Sequence, residues 1–277
     1  MTMTMVQFMA GFKMNRFIAA MDHSGGSTGG VLDRYQVPYT ESNKMEIVHA
    51  MRLRMVSNPD FNDKNIWGAI LYQDTVARGM VPILREKGIS PFLKVDNGCE
   101  ENGTLKPFSV SEMCAYARAN GCVGTKMRSI VKSIDMIPEV VKQQFTLAQA
   151  IAYEGLIPIV EPEINIDRPD KALLEAALKQ ELAKNLSVFD KGLILKLTIP
   201  EEKNQYLSLM MYNNVQKIVG LSGGYSTAEA CERLSKHSDM SASFSRALSE
   251  GLYAHQTTEE FNEQISKNIN MITKASS

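Results

Sequence analysis

Histidine is scarce in this chain: four in 277 residues, at positions 23, 49, 237 and 255. None forms H-x-x-x-H or joins a cysteine cluster, so the sequence offers no ligand set of zinc-site type. Cysteine is as rare. Its four residues, at 99, 114, 122 and 231, include no C-x-x-C pair, and their spacing fits reduced cytosolic thiols better than a disulfide framework. Charge excess is missing too. Thirty Lys and Arg against 31 Asp and Glu leave a formal charge of -1, which gives nucleic acid no basic field to bind. No apolar stretch approaches the roughly 20 residues that span a bilayer. The opening MTMTMVQFMAGFKM has no continuous apolar core of signal-peptide type and leads directly into a strand-like run. No P-loop and no strand-linked G-x-G-x-x-G occurs. The expectation is a cytoplasmic protein that acts on a small molecule, without nucleic acid, membrane, metal or cofactor. No repeat or coiled-coil seam decides its oligomeric state, so a homo-oligomer stays open.

What is present is one pattern, met eight times: a short β-type run, then a longer helical one. RFIAAMD (16–22) precedes a helical stretch near 43–57. IWGAILY (66–72) precedes VARGMVPILREK, a helix weakened or interrupted by Gly79 and Pro82. ISPFLKVD (89–96) precedes SVSEMCAYARAN, and CVGTKMRS (122–129) precedes PEVVKQQFTLAQAIAYE. LIPIVEPEI (156–164) precedes DKALLEAALKQELAKNL, and GLILKLT (192–198) precedes EEKNQYLSLMM. VQKIVGLSG (215–223) precedes STAEACERLSKH, and SASFS (241–245) precedes a last helix near 257–273. Strict alternation implies parallel strands with crossover helices, and strands rich in Ile, Val and Leu suit burial on both faces. Eight units over this length predict a single (β/α)8 TIM barrel, an α/β fold, with an open doubly wound sheet as the alternative. The domain would span 1–277, with a short N-terminal extension of about 1–15. The cluster SGGSTGG (24–30) falls between a strand and a helix and is expected to be a loop.

Charges stand near the C-terminal ends of five of these strands. Residues i and i+2 of a strand point the same way, so Lys94 and Asp96 share a face, as do Lys126 and Arg128, and Glu161 and Glu163. Lys196 sits inside the apolar run LILKL, and the first strand ends in Asp22. Each taken alone reads as a solvated strand end or a turn former. Together they meet at one mouth of a barrel, where active sites of this fold are built. Their signs nearly balance, as a buried paired network requires.

Two glycine-rich turns follow strands: Ser24-Gly25-Gly26-Ser27-Thr28 and Ser222-Gly223-Gly224-Tyr225-Ser226. Exposed backbone N–H groups beside a helix start can cradle an anion. The second turn lies where barrels commonly hold phosphate, and Arg246 could add a bidentate contact. Two cradles on opposite sides of the mouth would suit a substrate with two phosphates.

A buried ammonium is costly unless paired or neutralised. Neutralisation would give Lys196 a purpose. An amine attacks a ketone only when unprotonated, and desolvation plus a neighbouring cation, Lys126, would lower its pKa. The resulting iminium is an electron sink beside which a C–C bond can break. Glu161 is placed to shuttle protons during carbinolamine formation and dehydration, and Glu163 to orient Lys196 or Lys126.

The motifs FIAAMDHSGGST, FLKVDNG, GTKMRS, IPIVEPEIN, LKLTIP, LSGGYS and FSRAL, in that order from about Phe17 to the end of the eighth unit, resemble those of class I, Schiff-base fructose-bisphosphate aldolases of the shorter bacterial type. The resemblance implies reversible cleavage of fructose 1,6-bisphosphate to dihydroxyacetone phosphate and glyceraldehyde 3-phosphate, without a metal. It makes Lys196 the Schiff-base lysine and Glu161 the general acid/base, with Glu163 beside it. Asp22 would engage the C4 hydroxyl, and Lys126 and Arg128 would contact substrate. Ser24, Ser27 and Lys94 would hold the C6-phosphate; Ser222, Gly223 and Arg246 would hold the C1-phosphate. The chain departs from many animal members at four places. His23 replaces Glu, Asn97 replaces Lys and Ser245 replaces Gly, while the C-terminal tyrosine is missing from ITKASS. Rival readings are a tagatose-bisphosphate aldolase, a transaldolase-like or deoxyribose-phosphate aldolase-like enzyme with one phosphate cradle, and a catalytically idle sugar-phosphate binder.

Overall fold

The computed structural model describes residues 15–276 apart from Asp239; most of the expected N-terminal extension therefore lies outside the described residues. Eight parallel strands follow one another around the sheet in chain order: β1 (Phe17–Met21), β2 (Ile66–Leu71), β3 (Ser90–Lys94), β4 (Gly124–Ile130), β5 (Ile157–Glu163), β6 (Leu193–Thr198), β7 (Val215–Leu221) and β8 (Met240–Ala242). The Ala20 N–H donates to the Phe244 carbonyl at 3.1 Å and closes β8 onto β1. The α/β barrel predicted from alternation is the observed fold.

Strand parity decides what faces the barrel axis. Ile18, Ala20, Ile70, Phe92, Ile159, Ile194 and Val219 form a compact interior cluster, and the other faces pack against the helices in a larger outer core. The same parity carries Asp22, Lys94, Asp96, Lys126, Arg128, Glu161, Glu163 and Lys196 inward, past the end of the apolar plug. The charged layer thus sits at the C-terminal mouth because the apolar layer fills the barrel beneath it.

The helices are α1 (Gly26–Tyr35), α2 (Lys44–Val56), α3 (Gln73–Ala77), α4 (Met80–Glu86), α5 (Val110–Ala119), α6 (Ile137–Tyr153), α7 (Lys171–Leu186), α8 (Thr227–Leu234) and α9 (Thr258–Ala275). Two stretches differ in kind from the sequence expectation, 24–30 and 201–211, while the interruption expected at Gly79 is present. The cluster expected to be a loop forms the opening turns of α1. Ser27 Oγ accepts from the Ser24 N–H at 3.1 Å and donates to the Ser24 carbonyl at 2.9 Å, which pins the chain as it enters the helix. The stretch after β2 is interrupted at Gly79, whose φ of 85° no ordinary residue adopts comfortably. Pro82 is tolerated because it falls in the first turn of α4, where the missing N–H has no intrahelical partner. Residues 201–211 form turns and a short 3₁₀ helix, Leu207–Met211, in place of an α-helix. Among the described residues no helix is long and apolar enough to cross a membrane.

Candidate active site

A cavity of about 530 Å³ opens at this mouth. Its wall includes all twelve residues to which the family resemblance gave a role. At its floor stand two lysines, each 3% exposed: Lys126 on β4 and Lys196 on β6. Glu161 on β5, the strand between them, serves both. Its Oε2 lies 2.7 Å from Lys126 Nζ and 3.5 Å from Lys196 Nζ. Lys126 also donates to Asp22 Oδ2 at 2.9 Å, across the barrel from β1.

The unequal pairing pushes the two amines apart. Burial works against the charge on Lys126, but Asp22 and Glu161 outweigh it and hold its pKa well above the ordinary lysine value. Lys196 has one carboxylate within ion-pair distance, Glu161 at 3.5 Å, and shares it with Lys126. Burial, opposed by Glu161 and reinforced by the positive Lys126, holds its pKa below the ordinary value. Burial also resists ionisation of Asp22, yet Lys126 and Lys196 prevail and keep its carboxyl far below the usual carboxylate range. The site therefore holds one fixed ammonium and one amine released towards neutrality, the separation from which acid/base roles are read.

Glu163, expected to orient Lys196 or Lys126 from behind, makes its ion pair with neither. It pairs with Arg128 at 2.9 Å, because the register sets Arg128 opposite Glu161 and carries Glu163 one step further up the wall. Lys94 is bound to Asp96, at 2.9 Å from its Oδ1 and 2.6 Å from its carbonyl. Asp96 also accepts the N–H groups of Gly98 and Arg128, so it ties the ends of β3 and β4 together.

The two glycine-rich turns are not on opposite sides of the mouth. Closure of the barrel puts β1 beside β8, so the Ser24–Ser27 turn and the Ser222–Gly224 turn flank β8 only one strand apart. Gly223 and Gly224 have φ of 59° and 127°, a conformation that exposes backbone N–H groups. A Cβ at Gly224 would sit 2.9 Å from Arg246 Nη1, so the missing side chain admits the guanidinium over the turn.

The sequence reading missed Arg52. It lies in α2 on the face that carries Val48, Met51, Met55 and Val56 into the core, and it is 3% exposed. It donates to the His23 carbonyl at 2.9 Å and, through its other terminal nitrogen, to Thr75 Oγ1. Burial lowers its pKa to about 10 although Asp22 and Asp74 oppose the shift. It remains a cation that fixes the end of β1 next to Asp22. A charge on an apolar helical stripe was the available signal. Lys171 plays a similar part for β6, donating to the Ile199 carbonyl at 2.8 Å while paired with Glu175 and Glu201.

The model of the family described as fructose-bisphosphate aldolase class-I matches residues 9–187. A fructose-bisphosphate aldolase class 1 of Clostridium acetobutylicum is 46% identical over 279 aligned residues, covering 94% of this chain and 95% of that protein. The chain belongs to the class I fructose-bisphosphate aldolase family. A second class 1 aldolase, from Synechocystis sp., is 44% identical, over 94% of this chain and 93% of that one. The solved fructose-bisphosphate aldolase from Plasmodium falciparum, in complex with TRAP and a small-molecule inhibitor, matches at a TM-score of 0.72. It covers 97% of this chain and 93% of that chain at 20% identity, and supports the barrel fold. The family model ends short of β6, so Lys196, Ser222 and Arg246 fall within the aldolase likeness through the full-length relatives and not through the model.

Proposed function

We propose that this chain cleaves fructose 1,6-bisphosphate reversibly to dihydroxyacetone phosphate and glyceraldehyde 3-phosphate, through a Schiff base on Lys196. The observation that carries this reading is the division of one glutamate between two buried lysines, with Lys126 at 2.7 Å and Lys196 at 3.5 Å. Neutral Lys196 Nζ adds to the C2 ketone. Glu161, 3.5 Å from that nitrogen, takes the proton that leaves the Lys196 ammonium before attack; the attacking nitrogen then passes a proton to the ketone oxygen, and Glu161 returns its own to the carbinolamine hydroxyl, which leaves as water. Asp22 takes the C4 hydroxyl proton, and the C3–C4 electrons pass to the iminium nitrogen, leaving an enamine. Lys126 stays charged and stabilises both carboxylates through these changes. Arg128, braced by Glu163, faces the substrate chain. Ser222, Gly223 and Arg246 hold the C1-phosphate, and Ser24, Ser27 and Lys94 hold the C6-phosphate. The proposal takes the chain as one cytoplasmic catalytic domain; its four cysteines are free thiols, as that compartment favours.

The proposal needs no metal, and among the described residues no group of three or more His, Cys, Asp and Glu side chains could hold one. Cleavage of fructose 1,6-bisphosphate is therefore expected to persist at full rate in excess EDTA. Loss of activity on chelation, restored by zinc, would put a Lewis acid where this reading has an iminium.

Arg246→Ala is expected to weaken use of any substrate with a C1-phosphate. The guanidinium is exposed, so the lost charge-assisted bond belongs at the lower end of its range, about 1–2 kcal/mol, or roughly five- to thirtyfold in kcat/KM. Steady-state rates with fructose 1,6-bisphosphate and fructose 1-phosphate should fall alike. Wild-type rates with both would remove Arg246 from the phosphate site.

A further inference from the structure

Asp22 is the first residue beyond the β1–β2 ladder, which ends with Met21 opposite Leu71. The next residue, His23, is held by Arg52. From α2, one terminal nitrogen of Arg52 donates to the His23 carbonyl at 2.9 Å, and the other donates to Thr75 Oγ1 in α3. Thr75 is fully buried, and its N–H donates to the Tyr72 carbonyl at 3.0 Å. Tyr72 lines the cavity, as do Asp22 and His23. One guanidinium thus bridges the first two strand-to-helix connections just past the end of the ladder.

We propose that Arg52 is a positioning residue for the carbon–carbon cleavage step: through the His23 carbonyl and by its charge, it holds Asp22 in the place and the ionised state from which the C4 hydroxyl proton is taken. This rests on the reading of Asp22 as the base for that proton.

Both bonds from Arg52 go to neutral oxygens. A guanidinium only 3% exposed is a costly way to hold a carbonyl and a hydroxyl, because its charge must leave water. An amide donor would serve the same oxygens without that cost. The charge therefore has a use of its own, and Asp22 is where it falls. Asp22 and Asp74 are the carboxylates that favour the Arg52 cation, and Asp74 is already engaged by Arg78 at 2.8 Å. At the floor of the site, Asp22 and Glu161 both pair with Lys126. Once Lys196 is neutral, Lys126 faces two carboxylates with one charge, and Arg52 supplies a second from behind Asp22. A base for an alcohol proton must be ionised first and stay aimed at it. A misplacement of about 1 Å is enough to cost about a hundredfold in rate.

Dihydroxyacetone phosphate separates this role from general support of the site. It has no C4, so its Schiff base on Lys196 forms without the proton that Asp22 takes, whereas cleavage of fructose 1,6-bisphosphate needs that transfer. Arg52→Met is expected to lower kcat for cleavage roughly a hundredfold, while borohydride trapping of dihydroxyacetone phosphate stays within about threefold of wild type. Arg52→Lys and Thr75→Val each keep the positive charge and lose one arm of the bridge. Both should show the same split at about three- to tenfold, and they carry the test if Arg52→Met does not fold. The double variant with Asp22→Asn should cleave no more slowly than Asp22→Asn alone, because Arg52 acts through the aspartate. Trapping and cleavage that fall together in these variants would make Arg52 a tie for the whole site and overturn the proposal. Wild-type cleavage in Arg52→Lys and Thr75→Val would overturn it too, as would a lysine variant as slow as the methionine variant, which would deny the charge a part. Asp22→Asn serves as the reference. If it abolishes cleavage and the Arg52 variants do not, this proposal fails and the role of Asp22 stands; if Asp22→Asn itself cleaves normally, the base has been misassigned.

Discussion

Borohydride added together with dihydroxyacetone phosphate is expected to inactivate the enzyme irreversibly, with the reduced three-carbon adduct on Lys196; borohydride alone should do nothing. An ordinary lysine with a pKa near 10.4 is neutral to roughly one part in 2,500 at pH 7. Lys196 is held below that value by burial and by the charge on Lys126, so a larger fraction can attack the ketone. Two other lysines line the same cavity and are the internal controls. Lys126 is locked between Asp22 and Glu161 with its pKa raised, and Lys94 lies on Asp96; both should stay charged and untrapped. The rate of trapping should rise with pH through the lowered pKa of Lys196, since deprotonation creates the nucleophile. Lys196→Met should give no adduct and lose roughly 10⁴-fold or more of kcat, as for removal of a catalytic nucleophile. It should still fold, because methionine fills similar volume and removes a buried charge whose nearest carboxylate is already satisfied by Lys126. Peptide mass spectrometry decides between the lysines. An adduct on Lys126 would move the nucleophile to β4, and an adduct on none would end the Schiff-base mechanism.

The strands were legible because each is short, apolar and bounded by turn residues, and because a period of two tells which charges share a face. That is why the sequence alone places Lys94 and Asp96, Lys126 and Arg128, and Glu161 and Glu163 at the mouth. Partner choice was not legible. Glu163 pairs with Arg128 because of the stagger between β4 and β5, and stagger is a property of barrel closure that no single strand encodes. The same closure brings the first and second glycine-rich turns within one strand of each other, where chain order had placed them at the extremes.

Residues 201–211 show another limit. Their composition suits a helix, but a left-handed residue interrupts it at the fourth position. The Glu201 N–H goes to Glu175 Oε2 at 3.0 Å, and the Asn204 N–H goes to His237 Nδ1 at 3.0 Å. Asn204 itself sits at a φ of 57°. The two N–H groups would have no intrahelical acceptor in a helix starting here, so these bonds only anchor the segment, and the left-handed backbone at Asn204 is what breaks the run. The opening turns of α1 erred the other way: glycine is a poor helix former, yet the Ser24–Ser27 bonds and the position beside the barrel wall start the helix regardless.

Glu161→Gln is expected to separate the two halves of the lysine's chemistry. The amide keeps the shape and removes the charge. Lys126 loses one carboxylate but retains Asp22 at 2.9 Å, so it stays protonated and the floor of the site stays assembled. Lys196 loses the group that opposed its deprotonation, so its pKa falls further and its neutral fraction at pH 7 rises. Acetylation of Lys196 by acetic anhydride, which asks nothing of Glu161, should therefore become faster than in the wild type, and its pH profile should move to lower pH. Catalysis should move in the opposite direction. Without a group to protonate the departing hydroxyl, the carbinolamine dehydrates slowly, and kcat should fall by roughly 10² to 10⁴. Borohydride trapping should fall in parallel with kcat, because borohydride reduces the iminium and not the carbinolamine. Glu163→Gln is the comparison: its partner is Arg128, so its effect on kcat should stay within about tenfold and Lys196 acetylation should change little. If Glu161→Gln retains kcat within about tenfold of wild type, another group carries the proton. If acetylation of Lys196 slows instead of quickening, Glu161 is not the carboxylate that holds its pKa up, and the division of one glutamate between two lysines is not the basis of the mechanism.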